Sequence, residues 1–390
     1  MTRRLITMCG AAVFAATILL AGPTFGQEAE AQIEEQGGIA YVPGEVVVAE
    51  KGGGFAVREV EADTLGGIKE EAAEITEERD VLAAGPNYAY KPSFVPNDPF
   101  FDQQYNLFRV KARGAWEHSL GEGVSIGFVD TGYYAAHPDI DEKVRGEKDF
   151  VEEDDVAQDF AYHGTGVVGV AAAKTHNAEG VAAVGSDAGF VMAKGCADVC
   201  FSSDTAPAVE WLVGQGAEII NLSFGAEQET PGDPVLGTAV KAAQEAGALV
   251  IAGAGNDGAN TAAFFPAAYP DVLGVSATGE DNAPASFSNS GPVVDVAAPG
   301  VGIISTYNAE YAGNTTGALY ARYNGTSFAA PHVAGVAALL KARNADLTAQ
   351  QIASRIQQNA TDLGEPGVDD AYGSGLLNAR CAVAPRADRC

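Results

Sequence analysis

The sequence predicts an α/β fold: a mostly parallel sheet with helices on both faces, preceded by a small α+β unit. Three observations carry that prediction. From about residue 105, short apolar runs alternate with Ala-rich segments of helical periodicity, the signature of strand–helix crossovers. The runs are continuously apolar, as in parallel strands buried on both sides. Residues 27–93, in contrast, are acidic and Glu-rich, a composition break that marks a separate unit.

The elements follow in order. Arg3 and Arg4 precede an uncharged apolar run from Leu5 to Gly22, and Thr24-Phe25-Gly26 fits a small-residue cleavage site. Residues 1–26 therefore read as an export signal, and the Arg pair also fits the twin-arginine route. The run is short for a span of roughly 20 residues. Within 27–93, Glu45–Ala49 reads as a strand, Thr64–Ile75 as a helix and Asn87–Tyr90 as extended. The Pro-rich stretch Lys91–Pro99 is a linker or cleavage region. Beyond it, strands are expected at Val124–Val129, Gly189–Ala193, Glu218–Leu222, Ala248–Ala252, Val272–Ser276 and Val293–Ala297. Helices are expected at His163–Ala173, Thr205–Gln215, Val235–Ala246, Ser327–Arg343 and Thr348–Asn359, the last with a Thr348/Gln351 capping box.

At 390 residues the chain can bury a sizeable core. Its net charge of −29 argues against a nucleic-acid partner, since phosphate binding needs a basic surface. Cys9 leaves with the signal. The remaining four, Cys196, Cys200, Cys381 and Cys390, suggest local disulfides 196–200 and 381–390 in an exported chain, with other pairings open. Their spacing is wrong for a zinc ribbon.

The chemistry centres on Gly325-Thr-Ser-Phe-Ala-Ala-Pro-His-Val-Ala-Gly335. Ser327 opens an apolar helix, where free N–H groups and the helix dipole favour a developing oxyanion. A serine nucleophile needs a base, and the base an orienting carboxylate. Of five histidines, only His163 lies in a glycine-flanked turn opening a helix; His332 sits inside the Ser327 helix, too near in sequence to serve. Asp130 ends an apolar strand and precedes Thr131-Gly132, the place where open α/β sheets bind ligands. Each residue alone could be a cap or turn residue. Gly253, Gly255 and Gly258 match G-x-G-x-x-G, but Ala259–Pro266 forms no clear helix, so a dinucleotide site fails in context.

Asp130-Thr-Gly, His163-Gly-Thr and the Ser327 block, in that order, resemble the signature blocks of subtilisin-like serine proteases. Ala252-Gly-Ala-Gly-Asn256-Asp-Gly258 is similar to the family's oxyanion segment, and Pro96–Phe101 with Trp116 is similar to thermitase-like members. The likeness runs from Pro96 to Val383. It implies a subtilisin-like peptidase domain at 94–390, a propeptide at 27–93 cut near Ser93–Phe94, and a secreted or periplasmic monomer acting on polypeptides, with no membrane contact after signal removal. It implies catalysis by Asp130, His163 and Ser327 with Asn256 as oxyanion donor, and substrate binding by Ser223, Phe224, Gly225 and Gly253. Asp257, at the pocket rim, implies tolerance of Lys or Arg at P1. It further implies structural Ca²⁺ on Asp98, Asp139 and Asn177, with backbone carbonyls of Lys174, Glu179 and Val181. The chain departs from the family at Gly166, where a second histidine is usual, and at Phe328, where methionine is commoner. A catalytically silent peptide-binding protein on the same scaffold is the alternative; the intact blocks argue against it.

Overall fold

The apolar runs line up as one parallel sheet. The computed structural model describes residues 6–8, 31–36, 39–89, 94–311 and 314–384, in two units, Met1–Pro92 and Ser93–Ala384. In the larger unit the strands are β1 (Ser125–Asp130), β2 (Val144–Asp149), β3 (Gly189–Lys194), β4 (Ile219–Leu222), β5 (Leu249–Gly253), β6 (Leu273–Thr278) and β7 (Val296–Pro299). Their spatial order is β7-β6-β5-β4-β1-β3-β2, and every neighbouring pair is parallel. The chain leaves β1 toward one edge, returns at β3 and continues on the other side from β4. The carboxyl end of β1 is thus a topological switch point, where open sheets place their ligands.

Successive residues of one strand feed opposite cores, which explains the absence of polar alternation. Ile126, Phe128, Ile219 and Ile251 join helices α1 (His163–Ala172) and α4 (Thr326–Arg343) on one face. Val129, Ile220 and Val250 join α2 (Ser202–Gly214) and α3 (Pro234–Glu245) on the other. Each fully buried Val, Leu or Ile contributes about 1.5–3 kcal/mol. Helix α4 is buried on all sides from Phe328 to Leu340. Helix α5 (Ala349–Gln358) is capped by the reciprocal Thr348–Gln351 bonds. The edge strand β2 has no counterpart in the sequence reading, because Val-Arg-Gly-Glu-Lys-Asp is charged; charged edges protect a sheet from further pairing. Strand β7 begins three residues later than expected, since Val294 N–H closes a turn onto Gly291 O.

The smaller unit pairs Ile39–Glu50 antiparallel with Phe55–Glu59 and Val81–Tyr88. Helix Leu65–Thr76, capped by Thr64, sets Leu65, Ile68 and Ala72 against Tyr41, Val46 and Val48. Ile6–Met8, inside the stretch read as an export signal, pairs in parallel with Ala31–Ile33. Among the described residues no helix is long and apolar enough to cross a membrane. Cys196 and Cys200 form a disulfide. Cys381 is also disulfide-bonded, and Cys390, its expected partner, lies outside the described residues.

A hairpin, Ile303–Thr306 with Tyr320–Tyr323, clamps α1. Ser305 Oγ donates to Gly166 O at 2.7 Å and Thr306 Oγ1 to Thr165 O at 2.6 Å. A methyl group on Gly169 would overlap both hydroxyls and lie 3.0 Å from Thr306 N. Gly169→Ala is therefore expected to lose about 1–3 kcal/mol of unfolding free energy by overpacking, read from urea melts; an unchanged midpoint would contradict this packing.

Candidate active site

Asp130 ends β1 and His163 begins α1, and close backbone approach brings them together. A methyl group on Gly164 would overlap Gly132 O, and one on Gly132, at φ +102°, would sit 2.5 Å from Ala157 O. With neither present, His163 Nδ1 donates to Asp130 Oδ1 at 2.7 Å. The same oxygen accepts from Thr131 N–H at 2.7 Å. Asp130 is buried, whereas the His163 side chain is 30 % exposed, open to the cleft.

Asp159, a residue the sequence reading passed over, braces this pair. It is buried, accepts from Thr131 Oγ1 at 3.0 Å and from Thr165 N–H at 3.0 Å, and takes the place of a side-chain cap for α1. Thr131 Oγ1 in turn accepts from Gly164 N–H at 2.9 Å. Its signal was a carboxylate four residues before His163. Burial pushes the His163 pKa down, but the Asp130 charge and hydrogen bond, with the Asp159 charge, outweigh it and leave it raised above 6.5.

Ser327 sits in the first turn of α4. Gly325 holds φ +148°, a conformation restricted to glycine. Thr326 N–H donates to Asn256 Oδ1 at 2.8 Å, and Thr326 Oγ1 donates to the same oxygen at 3.1 Å. Gly255 N–H donates to Thr326 Oγ1 at 3.2 Å. Asn256, an exposed residue, is thereby fixed through its oxygen, and its NH₂ has no acceptor among the described residues. Phe328 N–H turns back to Gly325 O, so the Ser327 N–H is the first-turn donor without an acceptor among the described residues. Ser327 Oγ itself donates to Ser223 O at 3.0 Å, and Ser223 Oγ to Ser327 O at 2.9 Å.

Ser223, Phe224, Gly225 and Gly253 line a cavity of about 440 Å³ together with Ser327 and Asn256. A neighbouring cavity of about 570 Å³ carries Asp130 and His163 and shares Ser223, Phe224 and Cys200 with the first. Asp257 lies outside both linings; its carboxylate accepts from Asn289 Nδ2 at 3.4 Å.

The two departures from the family pattern have one cause. Tyr323 stacks on Phe328 at 4.3 Å, and Phe328 meets the His163 ring edge-on at 5.5 Å. A methyl group on Gly166 would sit 2.7 Å from Tyr323 Cζ and 3.0 Å from Phe328 Cε1. The aromatic pair fills the space that a histidine at 166 would need. His332 is fully buried and its pKa falls to about 4 through loss of solvation. It donates from Nδ1 to Phe328 O at 2.8 Å and accepts at Nε2 from Asn106 at 2.8 Å, so it is a neutral packing residue.

The residues expected to hold calcium also converge. Asp98 and Asp139 are buried. Burial raises the Asp98 pKa and lifts that of Asp139 to about 6, with the Asp98 charge adding to the latter. Asn177 Nδ2 donates to Asp139 Oδ1 at 2.7 Å and Val181 N–H to Oδ2 at 2.9 Å; Lys174 N–H donates to Asp139 O at 2.6 Å. The Asn177 oxygen accepts from Glu179 N–H at 2.9 Å, so its amide nitrogen, not its oxygen, faces Asp139. Among the described residues no three His, Cys, Asp or Glu side chains group to hold a metal. The expected set has only two carboxylates and relies on amide and backbone oxygens. Both carboxylates already accept from neighbouring donors, Asp98 from His176 N–H at 2.8 Å and Asp139 from Asn177 Nδ2 and Val181 N–H.

The model of the Subtilase family matches residues 121–375. The Thermophilic serine proteinase of Bacillus sp. (strain AK1) is 39% identical over 305 residues, 77% of this chain and 72% of that protein. Thermitase of Thermoactinomyces vulgaris is 38% identical over 293 residues, 74% of this chain and 99% of its own length. A solved protease of Pseudoalteromonas arctica PAMC 21717 superposes with a TM-score of 0.69 at 31% identity, covering 74% of this chain and 99% of that one.

Since the His163 pKa is raised, the stability this pairing adds is complete below pH 6.5 and is lost as pH rises through the folded value. NMR titration should place the His163 midpoint above 6.5. Asp130→Asn should bring it down, because burial then prevails. A native midpoint at or below 6.5, or one unmoved by the substitution, would contradict the ion pair.

Proposed function

The chain belongs to the subtilase family and is a serine endopeptidase of the subtilisin type; on that premise we propose that Asp130, His163 and Ser327 are its catalytic triad, with Asn256 as oxyanion donor. The 2.7 Å bond from His163 to Asp130 carries the reading, because it fixes the ring with Nε2 as the free base. Ser327 Oγ turns from Ser223 O to His163 Nε2, gives up its proton and attacks the substrate carbonyl. The resulting oxyanion is held by Asn256 Nδ2 and Ser327 N–H, donors fixed before the charge develops. His163 then protonates the leaving amine, leaving an acyl-serine that water hydrolyses by the same steps in reverse. Ser223, Phe224, Gly225 and Gly253 bind the peptide as an added strand.

Residues 1–26 direct export, and 27–93 act as a propeptide that assists folding and inhibits. Phe55 and Val57, 83 % and 49 % exposed on one strand of that unit, fit a surface meant to be covered. The mature enzyme starts near Ser93–Phe94 and works outside the cytoplasm as a monomer. Asp98, Asp139 and the 174–181 loop would hold a structural Ca²⁺, neutralising two buried carboxylates; no step of the reaction passes through it.

A fluorophosphonate probe should label the enzyme and leave Ser327→Ala unlabelled; equal labelling of both would end the triad reading. Asn256→Ala should lower kcat by about 10²–10³-fold, the cost measured for loss of such a donor in subtilisin itself. A chelator should lower the melting temperature, and Asp139→Asn should abolish that shift. A midpoint indifferent to chelation would remove the calcium site.

A further inference from the structure

We infer that the primary specificity pocket is floored by the Phe264 ring and accepts only small P1 side chains; this rests on the endopeptidase reading above. The two pocket walls are Ser223–Gly225 and Gly253–Gly255, both lining the cavity that holds Ser327 and Asn256. Phe264 lines the same cavity and is 7 % exposed. One edge of its ring lies against Gly225, where an added methyl group would overlap Cε1 and stand 3.1 Å from Cζ. The opposite edge lies against Gly255, where a methyl group would stand 2.7 Å from Cε2 and 2.8 Å from Cδ2. The ring therefore spans the gap from wall to wall.

Backbone pairing holds it there. Phe264–Phe265 forms a two-residue antiparallel ribbon with Ala226–Glu227, with Glu227 opposite Phe264. Gln228 N–H extends the ribbon to Ala263 O at 3.0 Å, and Thr261 Oγ1 donates to the Glu227 carboxylate at 2.8 Å. Phe265 packs instead on Tyr269, ring centroids 4.8 Å apart. The ring edges already touch both glycines, so a P1 side chain entering between the walls meets an aromatic surface. Gly, Ala or Ser leaves the ring in place, whereas Phe, Tyr, Leu or Lys directed between the two glycine walls would have to displace it. This stands against the tolerance of Lys or Arg at P1 expected from Asp257, which lies outside the lining.

The test is kcat/KM of the mature enzyme on peptides identical except at P1, with Ala, Leu, Phe or Lys there. Ala should exceed Phe and Lys by at least about 10-fold, and Phe264→Ala should raise the Phe-to-Ala ratio by at least about 10-fold, the scale on which apolar pockets discriminate size. A ratio taken on one preparation is independent of the folded fraction, and the native series decides by itself if the variant misfolds. A native enzyme that cleaves after Phe as well as after Ala, or an unchanged ratio in Phe264→Ala, overturns the inference. Loss of both peptide hydrolysis and probe labelling would overturn the peptidase reading with it; a labelled, Phe-preferring enzyme overturns this inference alone.

Discussion

The hydrogen bond between His163 and Asp130 is the constraint on which the rest of the site depends. It joins the end of β1 to the start of α1, two elements separated by 33 residues. That junction exists only because Gly132 and Gly164 lack side chains where the backbones meet. The Thr131–Asp159–Thr165 network fastens the same two segments with a second set of bonds. Removing a partner here would leave a buried carboxylate uncompensated, which is costly in a low-dielectric interior. The arrangement favours a charged imidazole, the species that forms when a serine proton is taken up.

Ser327, the proposed nucleophile, is held by different means. Helix α4 runs through the core, buried from Phe328 to Leu340, so its N-terminus cannot drift. Gly325 aims the first turn, and Thr326 links it to the end of β5 through Gly255 and Asn256. One threonine thus positions both proposed oxyanion donors, the Asn256 amide and the Ser327 N–H. The dipole of an 18-residue helix adds its positive end at the same point.

Much of this was legible in the sequence, for a physical reason. Strands buried on both faces must be apolar throughout, and catalytic turns need glycines at fixed offsets, so β1, β4, β5, Asp130, His163 and Ser327 all leave local marks. Strand β2 left none, because an edge strand can be charged. Asp159 acts through folded geometry and in sequence is one carboxylate among many. Phe264 lies in a stretch whose sequence shows no clear helix, and a two-residue ribbon has no periodicity to mark it; only its pairing with Ala226–Glu227 places the ring between Gly225 and Gly255. Gly166 and Phe328 stood out as separate departures, and Tyr323, remote in sequence from the first, makes them one packing solution.

In the proposed triad, Ser327 and His163 work as one unit rather than as two independent contributors. The direct measurement is kcat for Ser327→Ala, His163→Ala and the double variant on one peptide. If the residues form a unit, the double variant is no slower than either single, to within about threefold, as residues that act together are strongly non-additive. If the two losses multiply in the double variant, the residues contribute separately and the central claim fails.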